Sequence, residues 1–175
     1  MTKWFDNIQL CQTDTDSLLY RIEGQDVYQV MLEHKDEFDF SEYPQGHPCY
    51  DPSNKKKLGK FKDELHSLTL EDFIGLRPKC YSLMFRGENM NLKQKQVAKG
   101  TKRSVKDRYL RHCHFEDVLQ NLTQVYVNQN TIQSRHHSLG NFHQTRVSLT
   151  AFDTKRFILD NGVNTLAHGH FRTQI

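Results

Sequence analysis

The sequence predicts an α+β fold, and three observations lead to this prediction. Runs of strand length with alternating or β-branched residues occupy much of the chain, while two segments place apolar residues at a helical period. Turn-forming residues separate these segments, and no internal repeat interrupts them. With 175 residues, 36% hydrophobic residues, 11 Phe and 7 Tyr, the chain can bury a core. We therefore expect one domain or two closely packed subdomains.

The N-terminal part is predicted to form a strand, an acidic turn, a second strand and a helix. Loose alternation over residues 7–12 and 18–22 indicates the strands, and residues 13–17 form the turn between them. Asp26 is a suitable N-cap for the helix. The apolar positions of this helix are Val27, Val30, Met31, His34 and Phe38. The segment that follows is predicted to be a loop as far as Asn54.

Shorter patterns predict the remaining elements. Strands are expected at residues 58–64 and 73–85, and Pro78 places the second of them near a sheet edge or a bulge. A turn is expected near residues 87–89. Residues 115–122 have the pattern of a short amphipathic helix, and the two polar, β-branched runs after it are expected to pair around residues 138–141.

The net charge of +3 is small, but its distribution is uneven. Acidic residues dominate from Glu33 to Glu42, and basic residues dominate two later clusters. The first cluster comprises Lys55, Lys56, Lys57, Lys60 and Lys62; the second comprises Lys93, Lys95, Lys99, Lys102, Arg103, Lys106 and Arg108. Either cluster could line a groove for duplex DNA, because each neutralised phosphate releases condensed counterions. A solvated face is the more common explanation of such a run of charges.

The cysteines and histidines do not have the spacing of a metal site. Cys11, Cys49, Cys80 and Cys113 are scattered, which predicts reduced, buried thiols and neither a disulfide framework nor a cysteine-based zinc site. The histidine pairs at 112/114, 136/137 and 168/170 lack the spacing of zinc fingers. No stretch approaches the roughly 20 apolar residues of a membrane helix, and the polar start lacks a signal-peptide core. We interpret the chain as intracellular.

Asp14 and Asp16 lie two residues apart in the predicted turn between strands, so both carboxylates could face one point. Carboxylate oxygens are the ligands that Mg²⁺ prefers, and two such ions can activate an attacking hydroxyl. Aspartates are also common turn formers, which is the simpler interpretation. A calcium loop is excluded because Leu19 and Gln25 replace its required Gly and Glu. A nucleotide-sugar site remains a remote alternative.

Several stretches together resemble family B DNA polymerases. Thr13-Asp14-Thr15-Asp16-Ser17-Leu18 resembles the palm motif with its Asp-Thr-Asp hairpin, and Leu76-Arg77-Pro78-Lys79-Cys80-Tyr81-Ser82-Leu83 resembles the Lys-x-Tyr motif. Residues 59–64 resemble the strand that precedes the latter motif. Residues 151–159 and 165–170 resemble the protein-primed polymerases of viruses and of Maverick/Polinton-type mobile elements.

This resemblance implies a partial antiparallel palm sheet with flanking helices over residues 1–98 and a small thumb-like subdomain over residues 99–175. It implies that Asp14 and Asp16 hold the catalytic Mg²⁺ ions. Lys79 and Tyr81 would grip the primer strand, through phosphate neutralisation and backbone contacts that do not depend on base sequence. Without the resemblance they would be an ordinary edge-strand lysine and a half-buried aromatic residue.

The resemblance further implies that Lys99, Gly100 and Lys102 contact DNA at the start of the thumb. The expected partners are primer-template DNA, deoxynucleoside triphosphates in the complete enzyme and, in protein-primed members, a terminal protein. No membrane partner is expected. A nuclear location is compatible with such an element, although no localisation signal is evident.

The expected function is the C-terminal part of a DNA-directed DNA polymerase, which transfers nucleotides to a primer 3′-hydroxyl by two-metal catalysis. Only 13 residues precede Asp14, so the upstream palm aspartate and the nucleotide-binding helix of the fingers are expected to be missing, and the chain alone is expected to be inactive. Gln12 also departs from the aromatic residue usual at its position. The alternatives are a non-catalytic DNA-binding module, a decayed mobile-element relic, and a fragment that does not fold stably.

Overall fold

A computed structural model describes residues 3–87, 90–152, 156–161, 164–167 and 170–173. It contains both helices and antiparallel strand pairs, so the predicted α+β class is confirmed. Two short 3₁₀ turns cover Lys35–Glu37 and Phe171–Thr173. The remaining elements are β1 (Ile8–Asp14), β2 (Ser17–Ile22), α1 (Val27–Glu33), β3 (Thr69–Arg77), β4 (Cys80–Arg86), β5 (Leu92–Ala98), α2 (Arg103–Tyr109), α3 (His112–Asn121), β6 (Gln124–Arg135), β7 (Ser138–Thr150), β8 (Arg156–Ile158) and β9 (Thr165–Ala167).

The chain forms two compact units. Unit 1 comprises residues 1–72 and 84–93, and unit 2 comprises residues 73–83 and 94–175. The three-stranded sheet, in the order β3-β4-β5, contributes residues to both units. The division of the chain into a palm at residues 1–98 and a thumb at residues 99–175 stays a prediction.

Unit 1 begins with the predicted hairpin and helix. β1 and β2 pair antiparallel, with a bulge between Leu10 and Gln12. The Asp26 side chain accepts hydrogen bonds from the backbone N–H groups of Tyr28 (3.0 Å) and Gln29 (3.2 Å), as expected of an N-cap. The helix ends at Glu33, so it is shorter than the predicted periodicity, which extended to Phe38.

Unit 1 is built around an aromatic core. Met31, Phe38, Phe40, Tyr43 and Cys49 are buried together, and Trp4 packs against this cluster. The rings of Phe38 and Phe40 stack 5.7 Å apart, and that of Tyr43 meets Phe40 edge-on at 5.6 Å. Aromatic pairs in these geometries add stability beyond the area that they bury.

Side chains hold the irregular backbone around this core. The buried Asp39 carboxylate accepts hydrogen bonds from the backbone N–H groups of Ser41 (2.9 Å) and Lys56 (3.2 Å). Asn54 donates to the backbone carbonyls of Lys35 and Phe38. The prediction of a strand at residues 58–64 is wrong. This segment makes only a single bridge among the described residues, between Phe61 and Phe38, and otherwise consists of turns and irregular backbone.

The segment predicted as one strand over residues 73–85 is instead two strands joined by a tight turn. β3 ends at Arg77 and β4 begins at Cys80, so Pro78 and Lys79 form the connection. Proline presets the φ angle of the first central turn residue, and Lys79 takes a positive φ of 59° at the second. The expected turn near residues 87–89 includes Glu88 and Asn89, which lie outside the described residues. The Gly87 N–H donates to the Asn91 carbonyl, and the Gly87 carbonyl accepts from the Met90 N–H.

Unit 2 has a mostly aliphatic core around α3, with Phe115 as its one aromatic member among the buried residues described. Phe115 and Val118 of this helix have no exposed surface, and they pack with buried residues from several strands. The other members of the cluster are Ile74, Leu76, Cys80, Ala98, Leu110 and Leu149. The predicted helix at residues 115–122 is confirmed, but it begins earlier, at His112, because the His114 ring accepts a hydrogen bond from the Arg111 N–H at 3.0 Å and caps the first turn.

The long hairpin of β6 and β7 confirms the predicted pairing of the two polar runs. Its turn lies at His136 and His137 and not around residues 138–141. Both histidines have positive φ angles, of 50° and 63°, which matches the two-residue turn whose twist suits an antiparallel hairpin. Gly140, the glycine that suggested the turn, lies within β7 opposite Gln133.

All four cysteines are free thiols. Cys49 and Cys80 are buried as predicted, whereas Cys11 and Cys113 are exposed and contradict the prediction. Among the helices of the described ranges, none has the length and apolar character that a membrane span requires.

Candidate functional site

The first predicted site lies in unit 1, at the turn between β1 and β2. Asp14 is the last residue of β1 and is half-buried, Thr15 and Asp16 form an exposed two-residue turn, and Ser17 pairs with Asp14. Thr15 has a φ of 63°. A β-branched residue in this left-handed region is strained by roughly 1–3 kcal/mol, and such strain concentrates at functional sites. The structure thus brings the two predicted carboxylates onto one tight hairpin.

A third carboxylate lies beside this turn. The Ser17 hydroxyl donates a hydrogen bond to Glu64 at 2.6 Å. Mg²⁺ is commonly bound by one or two carboxylates together with water and substrate phosphates, so Asp14 and Asp16 fit as part of such a site. Within the described residues, however, no group of three or more His, Cys, Asp or Glu side chains has the arrangement of a metal centre.

The second predicted site lies in unit 2, at the turn between β3 and β4. The strained Lys79 is half-buried, and its carbonyl accepts a hydrogen bond from the Lys99 N–H at 3.0 Å. Tyr81, two residues along β4, is half-buried with its ring 6.3 Å from that of Phe73. The backbone of Lys79 is thereby fixed next to Lys99, so two of the predicted DNA-binding residues are neighbours.

The turn over residues 99–102 is clamped onto the long hairpin. Buried Gln129 of β6 donates to the Gly100 carbonyl (3.0 Å) and accepts from the Lys102 N–H (2.9 Å). The Thr101 and Ser148 hydroxyls are 2.7 Å apart. Gly100 has a φ of 96°, which residues with a side chain adopt only under strain. This turn is therefore a rigid support for the exposed side chains of Lys99 and Lys102.

The two basic clusters differ in how their charges are used. In unit 1, Lys60 donates to the Asp36 carbonyl and Lys62 pairs with Glu42, so much of the first cluster serves internal contacts. In the second cluster, Lys106 is bonded to the Gln96 carbonyl at 2.7 Å. Arg103 lies 3.6 Å from Asp107. Lys102 and Arg108 are exposed on a common groove in unit 2.

That groove, which we call the α2 groove, lies between α2 and the long hairpin and has a volume of about 390 Å³. Helix α2 provides Arg108 and the 54% exposed Tyr109 together with Ser104 and Val105, and Lys102, which precedes the helix, also lines this wall. The opposite wall is formed by the amide residues Asn128, Gln129 and Asn130 of β6 and by His143 of β7. None of the described residues that line the groove is acidic.

Sequence reasoning missed α2, the clamp and the opposite wall of this groove. A signal was present: residues 124–150 contain no Asp or Glu, and Asp107 is the sole acidic residue over residues 90–115, which contain eight Lys and Arg residues. In such an acid-poor segment the basic side chains have few carboxylates near them in the sequence. The amide-rich alternation of β6 was interpreted only as strand pattern.

The histidines for which a zinc site was considered have other contacts. His112 is buried and its ring lies 2.9 Å from the Ser82 hydroxyl. His136 and His137 form the hairpin turn. His168 lies outside the described residues. No family model, curated protein or solved structure matches the chain.

Proposed function

We propose that the chain is the C-terminal palm and thumb part of a family B, protein-primed type DNA polymerase, and that it contributes metal-binding carboxylates and a grip on primer-template DNA. The reaction of the complete enzyme is nucleotidyl transfer from a deoxynucleoside triphosphate to a primer 3′-hydroxyl. The observation that carries the proposal is the turn at Asp14-Thr15-Asp16, where a strained two-residue connection holds two carboxylates on one hairpin.

Asp14 and Asp16 would hold the Mg²⁺ ions, which supply charge neutralisation at the transferring phosphate and activation of the attacking hydroxyl. Two carboxylates are one part of such a donor set. The proposal therefore assigns this chain alone no polymerase activity.

Lys79, Tyr81 and Lys99 would position the primer. Support comes from the fixed backbone between Lys79 and Lys99, and from the clamped turn that carries Lys99 and Lys102. Lysine ammonium groups neutralise phosphates without reading bases. This contact suits an enzyme that must copy any template.

Primer extension tests the catalytic half of the proposal. The 175-residue chain and a version extended upstream in its reading frame are each incubated with Mg²⁺, nucleotides and a primed template. We expect extension by the longer version only, and its loss in Asp14→Asn and in Asp16→Asn. Asp26→Asn, at an N-cap on the same unit, is the matched control and should retain activity. Extension that survives both site substitutions would refute the proposal.

A second candidate function is a non-catalytic DNA-binding module. The acid-free segment 124–150 and the acid-free α2 groove favour it, because neither depends on metal chemistry. It predicts salt-sensitive DNA binding by the 175-residue chain together with no extension by either version. A steep fall in affinity with salt is the expected mark of phosphate contacts.

A further inference from the structure

The α2 groove has the composition of a site for one nucleotide unit. Its volume of about 390 Å³ lies within the range of small-ligand sites, roughly 300–1,000 Å³. One wall carries the positive side chains of Lys102 and Arg108, and the other carries neutral amides. Such a division suits a ligand with an anionic part and a part rich in hydrogen-bonding groups.

The basic wall favours an anion such as phosphate. Arg108 is exposed, and its guanidinium carbon lies 5.3 Å from the centre of the Tyr109 ring. Arg103, the neighbouring arginine of α2 that faces Asp107 at 3.6 Å, does not line the groove. Among the described residues, Arg108 pairs with no carboxylate, so the groove receives an arginine whose charge is not neutralised. Bidentate guanidinium contacts are well suited to phosphate.

The amide wall has hydrogen-bonding groups in a fixed arrangement. The Asn128 side-chain oxygen accepts from the Thr145 hydroxyl at 2.6 Å. The side-chain oxygen of Asn130 lies 2.7 Å from Nδ1 of His143. Because these cross-strand bonds engage the oxygens, each amide retains its N–H groups as donors. Amide donors are partners for the acceptor atoms on the edge of a base.

The Tyr109 ring is the feature of the groove that would distinguish unpaired from paired nucleic acid. Tyr109 is 54% exposed and lines the groove, with the Arg108 guanidinium over its ring. A base stacked inside a duplex cannot place its face on a protein ring, whereas an unpaired base can, and every base has such a face. A duplex could use the charges of the groove but not this ring.

We propose that the α2 groove binds an unpaired nucleotide of single-stranded DNA, with the base on Tyr109 and its edge toward Asn128 and Asn130, and the phosphate at Lys102 and Arg108. The inference rests on the proposed function for the identity of the nucleic acid as DNA. It adds a contact for single-stranded DNA at Tyr109 and Arg108 to the primer grip proposed at Lys79 and Tyr81.

Fluorescence anisotropy with a labelled oligodeoxythymidine of about 10 nucleotides tests this inference, since single-strand sites commonly span about 4–16 nucleotides. A blunt-ended, fully paired duplex serves as the comparison probe. We expect Tyr109→Leu to weaken oligonucleotide binding by about 5- to 100-fold. Binding of the duplex should change less than about twofold, because its bases remain stacked on one another.

Two matched controls distinguish the groove from the rest of the surface. Tyr126→Leu removes another exposed tyrosine, on β6 outside the groove, and should leave oligonucleotide binding unchanged. Arg108→Gln should weaken binding, while Arg103→Gln on the same helix should weaken it much less. Equal losses in the two tyrosine variants, or no loss in Tyr109→Leu, would overturn the inference.

A second pair of variants decides the matter if Tyr109→Leu fails to fold. Asn130→Asp introduces a negative charge into the groove, and Asn141→Asp introduces the same charge on β7 outside it. We expect only the first to reduce oligonucleotide binding. Equal binding by both would again overturn the inference.

The outcome is independent of the catalytic proposal. Loss of oligonucleotide binding in the groove variants, with no primer extension by any version, would leave the groove in place and remove the polymerase assignment. Primer extension that depends on Asp14, with no difference between Tyr109→Leu and Tyr126→Leu, would do the reverse.

Discussion

Units 1 and 2 maintain their structures in different ways. Unit 1 surrounds its aromatic core with irregular backbone, whose N–H and carbonyl groups are satisfied by side chains such as Asp39, Asn54 and Asp63. Unit 2 surrounds a mostly aliphatic core with strands and helices, whose backbone groups mostly satisfy one another. A buried backbone group must find a partner in either case.

The difference has a consequence for what stabilises each unit. In unit 1 the partners are often ionised carboxylates, so its stability depends on charge. The carboxyl groups with clearly lowered pKa values among the described residues, Asp39, Glu42, Asp51 and Glu71, all lie in unit 1. In unit 2, we expect the packing of apolar side chains to provide most of the stability. Polar side chains such as Gln129 fix individual turns.

The largest effect that tests this comparison is expected from Phe115→Ala. Phe115 has no exposed surface, so its truncation leaves a cavity that should lower the unfolding free energy of unit 2 by about 3–5 kcal/mol. Hydrogen exchange in peptides from α3 and β6 measures this change. Leu119→Ala on the same helix, where the side chain is 47% exposed, is the control and should cost less than about 1 kcal/mol. Equal effects would show that packing does not dominate unit 2.

In unit 1 the corresponding test is Asp39→Ala. The change leaves the backbone N–H groups of Ser41 and Lys56 without their carboxylate partner, which should cost about 2–3 kcal/mol. Trp4, the single tryptophan of the chain, packs on the core of unit 1, so its fluorescence during urea unfolding measures the loss. Asp36→Ala changes an exposed carboxylate nearby and should have little effect. A similar loss in both variants would contradict the role given to Asp39.

The clamp at Gln129 tests whether polar side chains in unit 2 act locally. Gln129→Ala removes the bonds to Gly100 and Lys102, which should cost about 1–2 kcal/mol and accelerate hydrogen exchange at residues 99–102. Gln133→Ala, further along the same strand face, removes bonds to the Thr131 hydroxyl and from the Arg135 guanidinium but none to residues 99–102, so it should leave that turn protected. Unchanged exchange in Gln129→Ala would mean that the clamp is not needed.

The smallest expected effect is the loss of stability of unit 1 at low pH. Burial alone would raise the pKa of Asp39, but hydrogen bonds from Ser41 and Lys56 and the charge of Lys62 outweigh it and lower the pKa. The resulting stability is present above the ordinary aspartate pKa of about 3.9 and is lost as the pH falls through the lowered value. Trp4 fluorescence should show unit 1 weakening below about pH 4. Asp39→Asn should reduce this pH dependence, and an unaltered profile would exclude Asp39 as its source.

The same contrast explains which elements could be predicted from the sequence. The β1–β2 hairpin, the Asp26-capped helix and α3 have local signals, namely alternation, a capping residue and a helical period. The strand expected at residues 58–64 failed because its alternating pattern is used by a loop: Phe61 packs on the aromatic core and Lys60 bonds to the Asp36 carbonyl. Such tertiary contacts override local propensity.

Prediction of the candidate sites is limited in the same way to local signals. Asp14, Asp16, Lys79 and Tyr81 are predicted from motifs, which the sequence displays directly. The α2 groove combines residues that are up to 41 positions apart, from Lys102 to His143, and no local pattern indicates that they meet. The long strand expected through Pro78 failed for a local reason, because a Pro-Lys pair can form a two-residue turn when lysine accepts a positive φ.

The turn at His136 and His137 also has a consequence for the order of folding. Once this turn has formed, β6 and β7 can pair outward from it, beginning with Arg135 and Ser138 and ending with Gln124 and Thr150. Each new pair therefore forms next to a pair that is already in place. Hairpins of this kind form within about 1–10 μs, well before contacts between distant segments. The hairpin wall of the groove would then form before α2 docks. The groove itself would be completed only when the helix packs beside the preformed hairpin.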